Sequence, residues 1–247
     1  MLASGQLVRA GDGVTSLEVL EQERARRGQG TAKGAAPLAV QLDGIAQSYG
    51  GRFVLRGVTL QVAPGEVVAL VGKNGSGKTT LLRIVSTLLR PRRGAGSVFG
   101  SDLLRDAAGV RRHVAMLGHA TGLYEDLTAE ENLRFAARMT GMAHDRSTLT
   151  ALLAEVGLER ERSDRVRGFS AGMQRRLALA RLRLRAPRLL LLDEPYNTVD
   201  EEGTALVNRL LTDTRAAGGA AILVTHDLTR GSTVVDRVAR LVDGKVA

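Results

Sequence analysis

A glycine-rich loop between two apolar segments constrains the fold of this chain more than any other part of its sequence. Residues 72–79 read GKNGSGKT and match the pattern G-x-x-x-x-G-K-[ST]. The segment Glu66–Val71 before the loop is predicted to be a short buried strand, and Gly77–Leu89 after it an amphipathic helix ended by Pro91. A strand that leads through such a loop into a helix is the setting in which this pattern binds phosphate.

The residue types of this loop suit the phosphate groups of a nucleotide. Glycines let the backbone turn tightly and direct N–H groups at phosphate oxygens, and the following helix adds its N-terminal donors and dipole. Lys78 is expected to reach the β- and γ-phosphates, and the Thr79 hydroxyl to bind Mg²⁺. The residues expected to bind the nucleotide here are Gly72, Asn74, Gly75, Ser76, Gly77, Lys78, Thr79 and Thr80.

Two acidic residues after a run of leucines add candidate metal-binding and catalytic groups. Leu189–Leu192 is followed directly by Asp193, Glu194 and Pro195. At a strand end beside a phosphate loop, Asp193 is expected to hold Mg²⁺ through its water shell, and Glu194 to polarise the attacking water. By itself this pattern also fits a buried strand with a polar exit and a turn. The phosphate loop in the same chain favours the catalytic interpretation.

Strands and helices alternate at both ends of the chain. Besides the strand before the loop, strands are predicted at Val54–Val62, Leu189–Leu192 and Ala221–Val224. This alternation predicts an α/β fold with a mostly parallel sheet covered by helices. The block from about Ser101 to Gly168 is predicted to be mainly helical, with a capping box at Thr128–Glu131.

The N-terminal residues and the overall composition limit the architecture and the classes of function. Residues 1–37 are rich in Gly and charge and are predicted to be a flexible extension before a domain at 38–247, or to reflect a mis-assigned start codon. The 35 Lys and Arg against 26 Asp and Glu give a net charge of +9, spread along the chain, which favours a solvated surface over a nucleic-acid partner. The chain contains no Cys, which excludes disulfides and thiolate metal sites. Because no run is long and apolar enough to cross a bilayer, any role at a membrane is expected to be peripheral.

With the phosphate loop and the two acids in place, the chain resembles the ABC ATPase family from about Leu38 to its C-terminus. Residues 169–176, FSAGMQRR, are similar to the family's signature sequence and stand shortly before the leucine run, as in the family. Ser170 and Gly172 at a helix start would form a second anion site. The resemblance implies a P-loop NTPase core with an antiparallel β subdomain and a helical subdomain at about 101–168, and ATP and Mg²⁺ as cofactors.

Three further residues take roles that the resemblance implies. Asp200, within NTVD at 197–200, resembles the family's D-loop at the dimer interface, and His226 resembles the switch histidine that senses the γ-phosphate. Tyr49 stands where the family stacks an aromatic ring on adenine. Because one domain cannot bring its own phosphate loop and its own signature onto the same ATP, the resemblance implies a head-to-tail dimer, most simply a homodimer.

His119 is the clearest departure from the family, which has Gln at this position. His119 is a candidate metal ligand and is expected to tune the coupling of ATP hydrolysis to transport rather than to supply the chemistry. Gly118-His119 and the segment Leu127–Leu133 resemble the ATP-binding subunits of the haem exporter of cytochrome c biogenesis. That resemblance implies an ATP-hydrolysing motor subunit at the cytoplasmic face of the cell membrane, held there by permease subunits.

Two alternatives to the haem exporter stay open from the sequence. One is a generic export-type ABC ATPase that serves a drug, lipid or polysaccharide permease. The other is a soluble ABC ATPase of DNA repair or translation. The soluble type is disfavoured because no heptad pattern marks a long coiled coil and because the chain carries a single cassette.

Overall fold

A computed structural model describes residues 37–139, 141 and 145–247. The predicted extension at residues 1–37 lies outside the described residues except for Pro37. The strands are β1 (Val40–Tyr49), β2 (Arg52–Val62), β3 (Val67–Val71), β4 (Arg93–Val98), β5 (Ser101–Asp102), β6 (Val114–Leu117), β7 (Leu189–Asp193), β8 (Ala220–Val224), β9 (Arg237–Val242) and β10 (Lys245–Val246). The α-helices are α1 (Lys78–Val85), α2 (Ala107–His113), α3 (Ala129–Met139), α4 (Arg146–Glu155), α5 (Ala171–Leu184) and α6 (Glu201–Ala216).

The strands form two sheets. The larger sheet has the order β10-β9-β3-β8-β7-β6, in which β3 runs parallel to β8 and β9, and β7 runs parallel to β6 and β8. The smaller sheet has the order β2-β1-β4-β5, and all of its pairs are antiparallel. The predicted fold class, a mostly parallel P-loop core with an antiparallel β subdomain, is confirmed.

Helices cover both faces of the larger sheet, so its central strands are buried along their whole length. Alternate residues of each strand enter different apolar cores. Val68, Leu70 and Leu191 pack with α1 on one face. Leu190 and Leu192 pack with α5 and α6 on the other. This packing brings the carboxyl ends of β3 and β7 to one edge of the sheet, where open α/β sheets bind their ligands.

Helices α3, α4 and α5 enclose a third apolar core. The predicted capping box is confirmed at the start of α3, where the N–H of Glu131 donates to Thr128 Oγ1 at 3.1 Å and the N–H of Thr128 donates to Glu131 Oε2 at 2.8 Å. Leu149 and Leu153 of α4 are buried in this core. Within the part of the chain that the structure describes, no helix has both the length and the apolar character needed to cross a membrane.

Two predictions about secondary structure are wrong at the edges of these elements. The block predicted to be mainly helical contains β6, because an apolar run of 4 residues fits a strand or a helix equally well by periodicity. The helix predicted to reach Leu89 ends at Val85. Thr87 has a φ of 62°, in the left-handed region that does not continue a right-handed helix.

Candidate active site

The phosphate loop joins β3 to α1, and its backbone passes very close to other parts of the fold. Gly77, the N-cap residue of α1, has a φ of 106°, and an added Cβ would lie 2.7 Å from Cδ2 of Leu55. At Gly72, an added Cβ would lie 2.4 Å from the carbonyl oxygen of Leu241. Both positions therefore exclude a side chain, which leaves the backbone N–H groups of the loop and of α1 accessible to phosphate oxygens.

Lys78 is held at the centre of the loop by the loop itself. Its Nζ donates to the carbonyl oxygens of Gly72 at 2.7 Å and Lys73 at 3.1 Å, and the residue is 9% exposed. The Oγ of Ser76 is buried and has no hydrogen-bond partner in the described parts of the chain. Leaving a buried hydroxyl without a partner is costly, and a phosphate oxygen would satisfy it. The unpaired hydroxyl of Ser76, which the sequence pattern does not reveal, is therefore a second reason why the loop fits a polyphosphate.

Thr79 and Asp193 meet beside the phosphate loop. Thr79 Oγ1, in the first turn of α1, donates to Oδ2 of Asp193 at 2.7 Å. Asp193 is the last residue of β7 and is 4% exposed. A hydroxyl and a carboxylate are the ligands expected for Mg²⁺, which binds through one or two protein groups and completes its shell with water and substrate phosphates. The two side chains are therefore placed as a nucleotide-bound Mg²⁺ requires.

Glu194 begins the loop after β7 and has a strained backbone. Its φ of 49° lies in the left-handed region, which costs free energy for a residue other than Gly. Its N–H donates to the carbonyl oxygen of Val224 at 2.9 Å. Its Oε2 lies 2.9 Å from Nδ1 of His226, which follows β8. The structure thus brings together the two residues predicted to be catalytic, although they stand 32 positions apart.

A cavity of about 960 Å³ lies over the phosphate loop and the ends of β6 and β7. Nine of the residues singled out from the sequence line it, namely Asn74, Gly75, Gly77, Lys78, Thr79, Thr80, His119, Asp193 and Glu194. A cavity of this size is within the range of small-molecule and cofactor sites. The polar groups come from the phosphate loop with α1, from the loop after β6 and from the end of β7. The site therefore depends on the tertiary fold rather than on the phosphate loop alone.

Seven predicted residues do not line this cavity. The contacts of Gly72, Ser76 and His226 are described above, and the other four lie elsewhere. Tyr49 ends β1, pairs with Arg52 and is 48% exposed. Ser170 is the N-cap residue of α5, and its Oγ accepts the N–H of Met173 at 3.2 Å. Gly172 stands in the first turn of the same helix. The roles of these three residues in nucleotide binding stay predictions.

The last of these four residues is Asp200, the N-cap residue of α6. Its Oδ1 accepts the N–H of Gly203 at 2.9 Å, and its Oδ2 accepts from Nη2 of Arg176 at 2.5 Å. The hydrogen bond from Arg176 lowers the pKa of the Asp200 carboxyl. Because Arg176 stands in α5, the segment predicted to cross a dimer interface is tied to the helix that begins at the signature.

His119 follows β6 and is exposed on the wall of the cavity. Across the described ranges, no group of three or more His, Asp or Glu side chains is arranged as a metal site. The role of His119 as a metal ligand stays a prediction. His119 and Glu194 line the same cavity.

Two arginines of α5, the buried Arg175 and the half-buried Arg181, contact the site, and sequence reasoning missed these contacts. Arg175 donates to the carbonyl oxygens of Gly118, Asp193 and Glu194. Arg181 donates to the carbonyl oxygens of Thr121, at 2.6 Å, and Gly122. Burial lowers the pKa of both guanidinium groups. Arginines among the apolar residues of one helix are a sequence signal for buried cations. The sequence does not reveal their partners, because every residue type has a backbone carbonyl.

The sequence of this chain is similar to those of known ATP-binding proteins. A family model described as "ABC transporter" matches residues 55–197. The chain is 41% identical over 187 residues to the cytochrome c biogenesis ATP-binding export protein CcmA of Cupriavidus pinatubonensis, which covers 76% of this chain and 83% of the relative. It is 36% identical to the daunorubicin resistance ATP-binding protein DrrA3 of Streptomyces coeruleorubidus, over 85% of this chain and 67% of the relative.

A solved structure also matches the fold. It is a dimeric ATP-binding cassette in a post-hydrolysis state, bound to ADP and Pi. The match has a TM-score of 0.74 and 27% sequence identity, and it covers 84% of this chain and 96% of the other.

Proposed function

Because the chain belongs to the ABC transporter family, we propose that its ATPase activity powers an exporter of cytochrome c biogenesis and that the exported substrate is haem. The observation that carries this assignment is the similarity to CcmA at 41% identity over most of both chains. The Gly118-His119 pair, on the wall of the nucleotide cavity, supports it from the residues. The chain is an ATPase with ATP and Mg²⁺ as its ligands, so the proposal concerns which transporter uses that activity.

We assign the hydrolysis to side chains of the phosphate loop and of the segments that follow β7 and β8. Lys78 neutralises charge on the β- and γ-phosphates, and Thr79 and Asp193 would hold Mg²⁺. Bound Mg²⁺ supplies positive charge that stabilises the phosphate oxygens. Glu194 accepts the proton of the attacking water, and His226, at 2.9 Å, keeps that carboxylate directed into the cavity.

Two copies of the chain are needed to complete each ATP site in this proposal. Ser170 and Gly172 lie outside the cavity formed by the phosphate loop of the same chain. A head-to-tail pair would place the N-terminus of α5 of one copy against the ATP held by the other. The N-cap hydroxyl and the free N–H groups of that helix suit a phosphate. A homodimer is the simplest arrangement because the chain supplies one of each part.

An apolar groove on the helical block is the surface that we propose for the permease. The groove has a volume of about 250 Å³ and includes Tyr124, Phe135 and Met139, which are 52%, 39% and 71% exposed. The rings of Tyr124 and Phe135 meet edge to face with centroids 4.9 Å apart. Two cations, Arg181 and Arg185, also line the groove. This surface fits a short helix of a permease subunit with an apolar face and acidic residues beside it.

The groove is connected to the nucleotide site. Arg181 lines both cavities and donates to the loop that follows His119. The side chain of Asn132 accepts the N–H of Tyr124 at 2.8 Å and donates to its carbonyl oxygen at 2.9 Å, which fixes Tyr124 to α3. A movement of the His119 loop can therefore reach the bound permease helix as a rigid-body shift. In this arrangement, permease subunits hold the chain at the cytoplasmic face of the cell membrane.

Replacing Met139 by Glu is expected to weaken attachment to the permease. The change puts a charge into the apolar part of the groove, and Met139 is exposed enough to tolerate it without loss of the fold. The amount of permease recovered with the chain in mild detergent should fall by at least about tenfold, or about 1.4 kcal/mol. Val242→Glu is the matched control, because Val242 is also an exposed apolar residue, 48% exposed, on a different element. Equal recovery with both variants would place the permease elsewhere.

A strain whose only copy of this chain carries Glu194→Gln is expected to lose covalent c-type cytochromes. Export that depends on hydrolysis stops, so haem does not reach the compartment where it is attached, while b-type haem proteins are spared. Haem staining of membrane proteins after denaturing electrophoresis measures the loss. Normal c-type cytochromes with the variant protein expressed would eliminate haem export. That outcome would favour a drug exporter, the alternative supported by the 36% identity to DrrA3.

A further inference from the structure

We propose that Arg175 is a positioning residue that couples the two ATP sites of the dimer, an inference that rests on the head-to-tail dimer proposed above. Arg175 stands in the second turn of α5, the helix whose N-cap residue is Ser170. It is 4% exposed and contacts the loops that carry His119 and Glu194. One helix therefore begins at the predicted signature and holds both loops of the same chain's own site.

The contacts of Arg175 are made to backbone rather than to side chains. Its Nη1 donates to the carbonyl oxygen of Gly118 at 2.9 Å, and its Nη2 donates to those of Asp193 at 2.9 Å and Glu194 at 2.7 Å. The planar guanidinium has the fixed, forked geometry that such a set of acceptors requires. A lysine ammonium, as a single point of attachment, cannot reproduce it.

The guanidinium of Arg175 is buried beside Asp193 and Glu194, away from solvent. Burial lowers the pKa of Arg175, while the negative charges of Asp193 and Glu194 act in the opposite direction. Its Nε is buried without a hydrogen-bond partner in the described residues. A buried, unpaired N–H lowers the stability of the folded chain. The presence of this arginine therefore points to a role in positioning the residues around it.

The residue that most needs this support is Glu194. Its left-handed φ of 49° is held by its N–H, which donates to the carbonyl oxygen of Val224, and by its carbonyl oxygen, which accepts from Arg175 at 2.7 Å and from the N–H of Asn197 at 3.2 Å. Loss of the Arg175 contact would leave only the longer bond from Asn197 on that carbonyl oxygen, so the backbone would relax and move the carboxylate away from the attacking water. The same loss would release Gly118, the neighbour of His119.

The consequence concerns communication between sites. When the partner copy binds ATP, its phosphates meet Ser170 at the start of α5. A shift of this helix is carried by Arg175 to Glu194, which serves the other ATP of the dimer. The wild-type chain is therefore expected to hydrolyse ATP with a Hill coefficient above one and at most two. A wild-type Hill coefficient of one, measured in a proven dimer, would overturn the coupling.

The test is Arg175→Lys, with Arg183→Lys as the matched control on the same helix. Arg183 pairs with Glu155 and Asp213, both at 3.1 Å, away from the loops of the site. For Arg175→Lys, kcat should fall by at least about tenfold while KM for ATP changes by less than about threefold, and the Hill coefficient should drop to one. The control should keep wild-type values of all three.

A second variant separates positioning from general stability. In Arg175→Ala, added guanidinium chloride at low millimolar concentration should restore part of kcat, because the ion can occupy the space that truncation leaves. Wild-type kinetics of Arg175→Lys would overturn the proposal, and so would loss of ATP binding in parallel with loss of turnover. Failure of Glu194→Gln to form an ATP-dependent dimer would instead refute the dimer on which the inference rests.

Discussion

Replacing Glu194 by Gln is expected to stop ATP hydrolysis and leave ATP binding intact, lowering kcat by about 10²–10⁴-fold. The amide keeps the shape of the carboxylate but cannot accept the proton of the attacking water. Its oxygen or nitrogen can still meet His226, which lies 2.9 Å from Oε2 in the native chain. The trapped ATP should hold two copies together, so size exclusion with ATP and Mg²⁺ should show a stable dimer that ADP does not support.

The control for this variant is Glu159→Gln, which removes the same charge from an exposed position outside the cavity. It should keep wild-type turnover and remain a monomer after ATP is consumed. Wild-type turnover of Glu194→Gln would place the base elsewhere, and His226 would be the first residue to examine. Inactive protein that stays monomeric with ATP would contradict the shared site.

Replacing Lys78 by Ala is expected to remove productive ATP binding. The ammonium supplies the compact positive charge for the β- and γ-phosphates, and water cannot replace it inside the loop. Binding should weaken by at least about 100-fold, and the thermal stabilisation that ATP gives to the wild-type chain should disappear. The variant also leaves the carbonyl oxygen of Gly72 without the Lys78 donor, at a cost of about 1–3 kcal/mol in the free energy of unfolding, whereas the carbonyl oxygen of Lys73 still accepts the N–H of Ser76.

Lys73→Ala is the matched control, because it removes a lysine from the same loop at an exposed position. Its ATP-dependent stabilisation should stay close to that of the wild type. Melting without nucleotide separates the modest stability cost of Lys78→Ala from the loss of binding. Unchanged stabilisation by ATP in Lys78→Ala would show that the phosphate loop has been assigned wrongly.

Local features of the fold were predictable from the sequence because short-range rules determine them. The capping box at Thr128 and the buried strand Leu189–Leu192 depend on residues within one or two turns or one strand. The phosphate loop was predictable because only Gly fits at positions 72 and 77, where added Cβ atoms would collide with Leu241 and Leu55. The glycines themselves show that a side chain does not fit at these two positions, although the groups that a side chain would hit are distant in sequence.

Other features were not predictable because their cause lies in tertiary packing. The strand Val114–Leu117 exists because β7 offers it a parallel edge, which the short apolar run itself does not reveal. Arg175 bonds to the carbonyl oxygen of Gly118, 57 positions away, and a carbonyl is offered by every residue type. The family resemblance predicted roles for His226 and Glu194 but not a contact between them. Their distance of 2.9 Å results from the tertiary fold.

Sharing of each ATP between two copies of the chain is tested by mixing two inactive variants. Lys78→Ala damages the phosphate loop. Ser170→Asp keeps an effective N-cap for α5 but sets a negative charge against the phosphates. Each variant alone should be inactive, because every ATP site of its homodimer then contains one damaged part.

A mixed dimer has one site in which both parts are intact. In an equal mixture about half of the dimers are mixed, so ATPase activity should recover to at most about a quarter of the wild-type rate. If activity recovers at no ratio of the two chains, although the chains are shown to exchange partners, then each ATP site is built within a single chain and the head-to-tail dimer is wrong.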